Sequence, residues 1–478
     1  MDLTMSEIQS VKKFSKKSGC TTFSNEYINS FINGFNDFFW SYHFNNSNIA
    51  QQYIKGLFVC ERGKANMERM EEEVYDSEYR AYQQFITNSK WDYLGVNRKV
   101  SVDTSIILSQ HKQHSGCPTG FIIDESAHLK KGEFSVGVGK QYAGVVGKVE
   151  NSQVGVYASL VNDRYATLIG QRLFLPQKWT KDARRCDKAG VPKYARSFKT
   201  KPQLALFLVD EAIASGVHFD WIGGDGLYGH SYELGKGLDE RGRFFVLDAH
   251  KDELVYLQKP VFSIPTKTGK RGRPANSLQS NVAPIRLDKY MQSLQTSSWK
   301  EVSVRKTTKG WLKLKTHLAK VWVWDGQEKE PRERCLVITQ TLDEKGDIKY
   351  SFSNGKVEQY SHQQYSYFQS QRYWVERCFE DAKSELGLSD YQVRKWLSWH
   401  HHHSLVMMAC LFIMKLKLDN KTEYPLLSVR DARILMIVKM FGNEDDFKRR
   451  LEQMFIRHQK RQANIDRYYK NEIIFSSS

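Results

Sequence analysis

The stretch RYWVERCFEDAK, residues 372–383, combines acidic, basic and apolar side chains at helical spacing. Glu376 lies four residues after Arg372 and seven before Lys383, so the three side chains share one face of a helix that has 3.6 residues per turn. The neighbouring face is apolar and consists of Val375, Phe379, Ala382 and Leu386. The pattern predicts a helix that is anchored through its apolar face and directs its charged row into a cleft.

Two acids far upstream end short apolar runs that are typical of buried strands. Asp124 follows the run at 121–123, and Asp225 follows the run at 219–224. Because strand ends in an α/β sheet converge on one cleft, long gaps along the chain do not prevent these two acids from meeting Glu376. Three separated carboxylates predict a site for a divalent metal ion, and their hard oxygen donors suit Mg²⁺ or Mn²⁺.

Each of the three acids has a competitor nearby. Glu125 follows Asp124 directly, and since successive strand residues point to opposite faces, only one of the two is expected to face the site. Glu380 lies one helical turn after Glu376, and Asp381 follows it. A single acid is more often a surface or capping residue than a ligand, so these alternatives stay open.

The composition is strongly basic, with 71 Lys and Arg against 54 Asp and Glu and a formal net charge of +17. This excess favours a polyanionic partner, nucleic acid first and an anionic membrane second, although a basic surface without such a partner has the same composition. Seven scattered cysteines without a CxxC spacing indicate a reducing compartment and no zinc framework. The longest apolar run, 405–414, is too short to cross a bilayer, and residues 1–17 lack a signal-peptide core. We therefore expect a cytoplasmic protein.

Length and periodicity predict a multidomain α/β protein whose core is a mixed sheet, with single helices at 359–386 and 393–414. The predicted segments are a helical N-terminal domain that is a candidate for DNA binding (1–105), the first part of the core (106–250), a β-rich basic insertion (251–332), the second part of the core (333–417) and a basic helical tail (418–478).

Basic and aromatic residues mix within the predicted insertion. The sequence KRGRP at 270–274 resembles a hook for A·T-rich minor grooves through Arg271 and Arg273, although a solvated basic linker is the plainer interpretation. Residues 302–324 alternate like a strand and suit backbone contact with base stacking, although most tryptophans there are expected in the core or on a sheet face. The candidates for DNA contact are Lys306, Lys309 and Lys313, and those for stacking are Trp299, Trp311, Trp322 and Trp324.

Several of these stretches resemble the DDE transposases of bacterial insertion sequences, in particular the insertion sequence 701 family and its relatives with a Tyr-Arg-Glu-Lys signature. The resemblance extends from about residue 50 to residue 415 and is strongest around the three acids. Its residues are FIIDES (121–126), KKG (130–132), SVGV (135–138), TKP (200–202), GDGLYG (224–229), Arg372, Trp374, Glu376, Phe379, Lys383, Gly387, Leu388 and Trp399.

The resemblance implies a ribonuclease-H-like core in which Asp124, Asp225 and Glu376 are catalytic ligands of two Mg²⁺ or Mn²⁺ ions. It implies a DNA transposase that cuts the ends of its element and uses the freed 3′-hydroxyl to attack target DNA by a cut-and-paste route. The implied partners are double-stranded DNA, as inverted-repeat ends and as target, and a second copy of the chain in a homodimeric synaptic complex. A bacterial cytoplasm and no membrane partner are expected.

Four cations are candidate DNA contacts around this site. Arg372 and Lys383 share the face of Glu376 and would hold phosphate, the first through its planar fork and the second as a point charge. Lys130 and Lys131 belong to the residues that carry the resemblance.

Two other functions fit the same sequence. One is a domesticated DNA-binding protein or repressor without chemistry, which the presence of all three acids argues against. The other is a ribonuclease-H-like nuclease that cuts without joining, which a strand-transfer assay would distinguish from a transposase.

The sequence departs from the family pattern at three places. The signature's Tyr, expected three residues before Arg372, is Gln369, and Glu125 stands where relatives often have Asp. The run His400–His403 stands where one His is more usual. Because four consecutive residues cannot share one helix face, we expect this run to be a feature of a helix surface and not a metal site.

Overall fold

The computed structural model describes residues 25–265, 276–307 and 310–441, together with positions 456, 459, 463 and 467. Three predicted features lie outside the described residues: the hook with Arg271 and Arg273, the candidate DNA contact Lys309, and most of the basic tail.

Helices precede the first long strand and then alternate with strands. Those among the described residues are α1 (Asn25–Asn33), α2 (Ser47–Val59), α3 (Met67–Glu73), α4 (Tyr79–Thr87), α5 (Tyr93–Ser115), α6 (Gln177–Thr180), α7 (Ala183–Ala189), α8 (Lys201–Ala214), α9 (Gly226–Gly229), α10 (Tyr232–Glu240), α11 (Leu287–Gln292), α12 (His362–Ser370), α13 (Tyr373–Glu385), α14 (Trp396–Asp419) and α15 (Val429–Phe441).

The strands range from two-residue pairs to a strand of 15 residues. They are β1 (Trp40–Ser41), β2 (Phe44–Asn45), β3 (Gly120–Leu129), β4 (Gly139–Ala143), β5 (Lys148–Asn162), β6 (Tyr165–Leu173), β7 (Trp221–Gly224), β8 (Phe245–Ala249), β9 (Leu254–Val255), β10 (Phe262–Ser263), β11 (Gln279–Ser280), β12 (Ile285–Arg286), β13 (Lys300–Thr307), β14 (Gly310–Val323), β15 (Arg332–Thr341) and β16 (Ile348–Ser353).

Ten of these strands form one mixed sheet, which confirms the predicted α/β class. The strand order is β13-β14-β15-β16-β8-β7-β3-β5-β4, and β6 also pairs with β5. The strands β3, β7 and β8 are parallel to one another, whereas β3–β5, β5–β6 and β16–β8 are antiparallel. Helix α8 makes the crossover from β6 to β7, and α9 with α10 makes the crossover from β7 to β8.

The central strand β3 shows why the sequence was readable here. Parallel strands are covered on both faces, so they appear as continuous apolar runs, and Phe121, Ile122 and Ile123 are all fully buried. Strands β5 and β6 pair as a hairpin around the turn at residues 163–164. The alternating stretch at 302–324 is a hairpin of β13 and β14, and it extends the same sheet beyond β15.

The single helix predicted at 359–386 is wrong in one respect, because the chain is interrupted between α12 and α13. At the interruption, the backbone N–H groups of Trp374 and Val375 donate to the carbonyls of Gln371 and Arg372, three residues earlier, at 3.0 and 3.1 Å. No Pro or Gly occurs between 359 and 386, so tertiary packing and not local propensity makes this tight turn. The turn places Arg372 at the beginning of the helix that carries Glu376.

The histidine run at 400–403 is not a surface feature, contrary to expectation. All four imidazoles are at most 2% exposed in helix α14. His401 donates to the carbonyl of Ile86 at 3.0 Å, and His402 accepts from the hydroxyl of Tyr53 at 2.9 Å. His403 faces the opposite side, with its ring 5.9 Å from that of Tyr157 in β5. Four consecutive residues do point in four directions, but protein covers all of them.

Helix α14 lies between the N-terminal helices and the sheet, and it joins them into one hydrophobic cluster. That cluster extends from Ile28 to Met436 and includes buried residues of β3, β5, β7 and β8. No helix among the described residues is long and apolar enough to cross a membrane.

Candidate active site

Three acids follow a row of residues that are paired across the parallel strands. Ile123 of β3 lies opposite Gly224 of β7, and Gly224 lies opposite Leu247 of β8. The next residues along the three strands are Asp124, Asp225 and Asp248. The register therefore brings three carboxylates to one level at the centre of the sheet, where β7 ends.

The tightest acidic group consists of Asp124, Glu125 and Asp225. Each offers a carboxylate oxygen, and these oxygens lie within 4.8 Å of one another. The expectation that only one of Asp124 and Glu125 faces the site is wrong, because the longer Glu125 side chain brings its carboxylate to the same cluster. This group, drawn from the described residues, does not include Glu376.

The sequence GDGLYG fixes the position of Asp225. Its Oδ1 atom accepts from the backbone N–H of Leu227 at 3.0 Å and so caps helix α9. A Cβ atom at Gly229 would lie 1.7 Å from the backbone oxygen of Asp248. Only glycine therefore allows α9 to pack this closely against β8.

Glu125 is held by a lysine, yet half of its carboxylate lacks a partner. Lys201, at the beginning of α8, donates from Nζ to Oε1 at 2.8 Å. Glu125 Oε2 and the hydroxyl of Tyr228 are both buried without a hydrogen-bond partner among the described residues. Burial and the nearby Glu125 carboxylate raise the pKa of Tyr228 well above its usual range.

Arg372 connects the acidic group to Glu376. Its Nη2 atom lies 2.8 Å from Glu376 Oε1, its Nη1 atom lies 3.8 Å from Asp124 Oδ2, and its Nε atom lies 3.0 Å from Asp248 Oδ2. The Glu376 side chain is 52% exposed, whereas those of Asp124 and Asp248 are 13% and 17% exposed. Glu376 is therefore connected to Asp124 through the guanidinium of Arg372, and about half of its side chain faces solvent.

The pKa shifts show that negative charge is in excess here. Burial and the charge of Asp225 raise the pKa of Asp124 to about 8. Burial and Glu125 raise the pKa of Asp225, and burial raises that of Asp248. Burial acts to lower the pKa of Arg372, but the surrounding carboxylates, Asp248 first, outweigh it and raise that pKa.

These residues fit a divalent cation. Clustered carboxylate oxygens are the ligands that Mg²⁺ and Mn²⁺ prefer, and an orphaned oxygen of Glu125 lies beside them. A cation between Asp124 and Asp225 would also relieve the repulsion that raises their pKa values. The divalent-metal dependence expected of a DDE enzyme is consistent with this donor set.

Asp248 was not predicted, although the sequence carried a signal for it. The run FFVLD at 244–248 has the same form as FIID at 121–124, an apolar strand followed directly by a carboxylate. Its partner Arg372 was predicted, but only as a contact of DNA phosphate.

The predicted lysine contacts differ in accessibility. Burial lowers the pKa of Lys383, and Asp124 opposes that shift, so Lys383 lies within electrostatic reach of the acids. Lys130 donates to the carbonyl of Tyr391 at 2.9 Å and covers that ring, and burial lowers its pKa to about 8. Lys131 is exposed.

The predicted contacts on β13 and β14 separate in the same way. Lys306 and Lys313 are exposed, and Nζ of Lys306 lies 5.8 Å from the ring centre of Trp311. Trp311 is 52% exposed, whereas Trp299 and Trp322 are partly buried. Trp324 stacks on Phe262 with ring centres 3.9 Å apart.

Comparison with known proteins gives three findings. A family model described as DDE superfamily endonuclease matches residues 41–311. Over 313 residues, the chain is 23% identical to a probable transposase for insertion sequence element IS701 from Microchaete diplosiphon. This alignment covers 65% of the chain and 67% of that protein. It is similar to the piggyBac transposase in a synaptic complex with hairpin DNA, with a TM-score of 0.38, 10% identity and coverage of 90% of this chain and 79% of that one.

The family match decides the assignment, whereas the structural likeness is too weak to support an argument. The matched segment contains Asp124, Glu125 and Asp225 and spans more than half of the chain. It confirms the resemblance to DDE enzymes that the sequence predicted. The chain belongs to the DDE superfamily of endonucleases.

Proposed function

We propose that this chain is a DNA transposase that cuts DNA at the ends of an insertion sequence and joins the freed 3′-hydroxyl to target DNA by a cut-and-paste route. The observation that carries the proposal is the meeting of Asp124 and Asp225 at one level of the sheet, with Arg372 between Asp124 and Glu376. Asp124 and Asp225 lie in one acidic group and Glu376 is connected to it through one arginine, which supports a DDE arrangement.

Asp124, Asp225 and Glu376 would hold divalent metal, as two Mg²⁺ or Mn²⁺ ions. Bound metal supplies a Lewis acid that makes a water or a hydroxyl a better nucleophile and stabilises the leaving oxygen. Asp124 and Asp225 are fixed by their strands and contribute a rigid half of the site. Glu376 is half-exposed on α13, so rotation of its side chain away from Arg372 can bring its carboxylate towards the other two.

The cations beside the acids would hold the scissile strand. With Glu376 as a metal ligand, the Nη2 atom of Arg372 that now pairs with it would be available to a DNA phosphate, the group that a guanidinium fork suits. Lys383 adds a single charge from the same helix. The exposed Lys131, in the loop that follows β3, would be a further contact for DNA phosphate.

The edge formed by β13 and β14 is our proposed contact for the transposon end. Lys306 and Lys313 project from it to solvent, and the half-exposed Trp311 is the tryptophan we select for stacking on an unpaired base. We further propose that the central sheet is a ribonuclease-H-like core and that two copies act on two ends as a homodimer. The register of β3, β7 and β8 supports the core assignment, because it aligns the acids.

The direct test uses duplex DNA that carries the terminal repeats flanking the gene. Asp124→Asn, Asp225→Asn and Glu376→Gln should each abolish Mg²⁺-dependent cleavage while retaining DNA binding. Asp210→Asn is the matched control, because Asp210 also pairs with an arginine, Arg241, but lies nine residues after Lys201 along α8 and outside the acidic group. Undiminished cleavage by any of the three variants would contradict the assignment of that residue.

Two further arms separate the alternatives. Glu125→Gln tests the neighbour of Asp124: if it abolishes cleavage while Glu376→Gln does not, Glu125 is the third ligand and the assignment of Glu376 is wrong. A labelled pre-cut end with a free 3′-hydroxyl is then mixed with target DNA. Covalent joining supports a transposase, whereas cleavage without any joined product would indicate a nuclease.

A further inference from the structure

Asp248 is a largely buried carboxylate beside the acidic group and has two partners. Its Oδ1 atom accepts from the hydroxyl of Ser351 at 2.8 Å, and its Oδ2 atom lies 3.0 Å from Nε of Arg372. Ser351 lies directly opposite Asp248 in the pairing of β16 with β8. The carboxylate therefore faces Arg372 from the interior of the protein.

A buried polar chain holds Asp248 from behind. The hydroxyl of Ser351 accepts from Nε2 of Gln369 at 2.7 Å, and Oε1 of Gln369 accepts from the hydroxyl of Thr339. Ser351 is fully buried, and Gln369 and Thr339 are each 3% exposed. Gln369 stands at the position of the tyrosine in the family signature. In this chain it supports Asp248 indirectly, through the hydroxyl of Ser351.

The guanidinium of Arg372 is divided between two sides. Asp248 contacts its Nε atom on the inner side, whereas Glu376 and Asp124 lie near its Nη atoms on the outer side. Without Asp248, the positive charge would be balanced only by the two carboxylates that are to bind metal. Each of these carboxylates would then form a stronger ion pair with Arg372. Exchanging that ion pair for a bond to metal would therefore cost more free energy.

We propose that Asp248 is a positioning residue that fixes Arg372 and balances its charge, so that divalent metal can take Asp124 and Glu376 from Arg372. This inference rests on the proposed function of the same site. Asp248 itself acts through Arg372 and not as a ligand. The acidic group that could hold a cation among the described residues consists of Asp124, Glu125 and Asp225 and does not include Asp248.

The experiment measures binding of Mn²⁺ alone to the full-length protein without DNA, by the loss of the free-ion signal in electron paramagnetic resonance. Asp248→Asn should weaken Mn²⁺ binding about tenfold, the lower end of what supporting residues of metal ligands contribute. Asp210→Asn, the same change in a remote ion pair, should bind Mn²⁺ as the parent does.

A double-mutant cycle separates this role from a general effect of charge. In a background of Arg372→Gln, Asp248→Asn should change Mn²⁺ affinity by less than about twofold, since the residue through which it acts is gone. If Asp248→Asn weakens binding equally with and without Arg372, the effects are additive and the proposal is overturned. Parent-like binding by Asp248→Asn would overturn it as well.

A second variant, which changes no charge, tests the proposal if Asp248→Asn does not fold. Ser351→Ala removes the hydroxyl that donates to Asp248 and accepts from Gln369, and it should weaken Mn²⁺ binding in the same direction, by about threefold. Ser353→Ala, two residues along the same buried strand, is its matched control. Equal Mn²⁺ affinities of the two serine variants would count against the proposal.

Failure of this inference is distinguishable from failure of the proposed function. Asp225→Asn tests the ligand set alone: if it binds Mn²⁺ as tightly as the parent, the metal assignment and the proposed function fail. If Asp225→Asn loses Mn²⁺ but the effects of Asp248 and Arg372 are additive, only the positioning role of Asp248 is overturned.

Discussion

Nζ of Lys201 lies 2.8 Å from Oε1 of Glu125, and both side chains are only about one-fifth exposed, at 19% and 21%. This is the one cation that the structure gives directly to Glu125 among the described ion pairs. It comes from the second residue of the matched sequence TKP, so the crossover helix α8 supports the acidic cluster across the sheet.

Lys201→Met should destabilise the protein, because the partly buried Glu125 carboxylate would lose its hydrogen-bonded cation. We expect a loss of about 1–3 kcal/mol in the free energy of unfolding, measured by urea denaturation without metal. The control is Lys112→Met, whose pair with Asp220 is about 40% exposed on both sides and should contribute less than about 1 kcal/mol. Equal losses in the two variants would show that the Lys201–Glu125 pair behaves as a surface pair.

Arg372→Gln should lower the free energy of unfolding of the metal-free protein by about 3 kcal/mol, because it leaves Asp124 and Asp248 buried without their shared cation. Mg²⁺ should restore part of this loss, since it binds the folded site. Thermal unfolding with and without Mg²⁺ measures both effects. Arg377→Gln, on the same helix but paired with the largely exposed Glu380, should change stability by less than about 1 kcal/mol.

Gln369→Leu should cost about 2 kcal/mol of stability, because the buried hydroxyls of Thr339 and Ser351 would lose a partner. Its control lies two residues away. Gln371 is 2% exposed, and its side-chain amide has no hydrogen-bond partner within the described parts of the chain. Gln371→Leu should therefore be neutral or stabilising in the same denaturation assay, and a loss as large as that of Gln369→Leu would contradict the role of the polar chain.

The buried imidazoles predict a dependence of stability on pH. Burial lowers the pKa of each of His400, His401 and His402 to about 3, so these groups are neutral in the folded protein. The unfolded chain takes up protons near pH 6.5, and stability from each group is full above that pH and is lost as the pH falls towards 3. The carboxyl groups with raised pKa act in the opposite direction, so the comparison is made between variants.

His401→Gln should reduce the slope of unfolding free energy against pH between 4 and 6 by up to about 1.4 kcal/mol per pH unit, the value for one proton. Denaturant unfolding at several pH values measures the slope. Ser404→Ala is the control, because it removes the hydrogen bond to the carbonyl of His400 in the same helix but no titratable group. It should shift the curve without changing the slope, and an unaltered slope in His401→Gln would contradict the neutral, buried state of that imidazole.

Local pattern was sufficient for the elements that hold Asp124 and Asp225, since an apolar run followed by an acid indicates a buried strand that ends at a site. The register between strands was not readable, because local pattern does not say which segments pair: Ile123 lies opposite Gly224, far along the chain, and Gly224 lies opposite Leu247. That register is what adds Asp248, and it explains why a prediction made strand by strand missed this acid.

The two corrections in the helical part have the same origin. The interruption before Arg372 has no Pro or Gly to mark it, and packing of α12 and α13 against different parts of the sheet decides where it falls. The side chains of His400–His403 do point to different faces of the helix, as helical spacing predicts. The sequence does not show that other parts of the protein cover every face of α14. The positions of Glu125 and Arg372 likewise depend on side-chain contacts that no sequence spacing specifies.

Because α14 is covered on one side by α2 and α4 and on the other by the strands, dividing the chain between them would expose apolar surface on both pieces. A piece that stops at residue 105 would expose Tyr53, Phe85 and Trp91 to water. A piece that starts there would expose the face of α14 that these residues cover. Each piece alone would leave part of the shared hydrophobic cluster exposed. We therefore expect either piece to aggregate unless the two are co-expressed and bind each other.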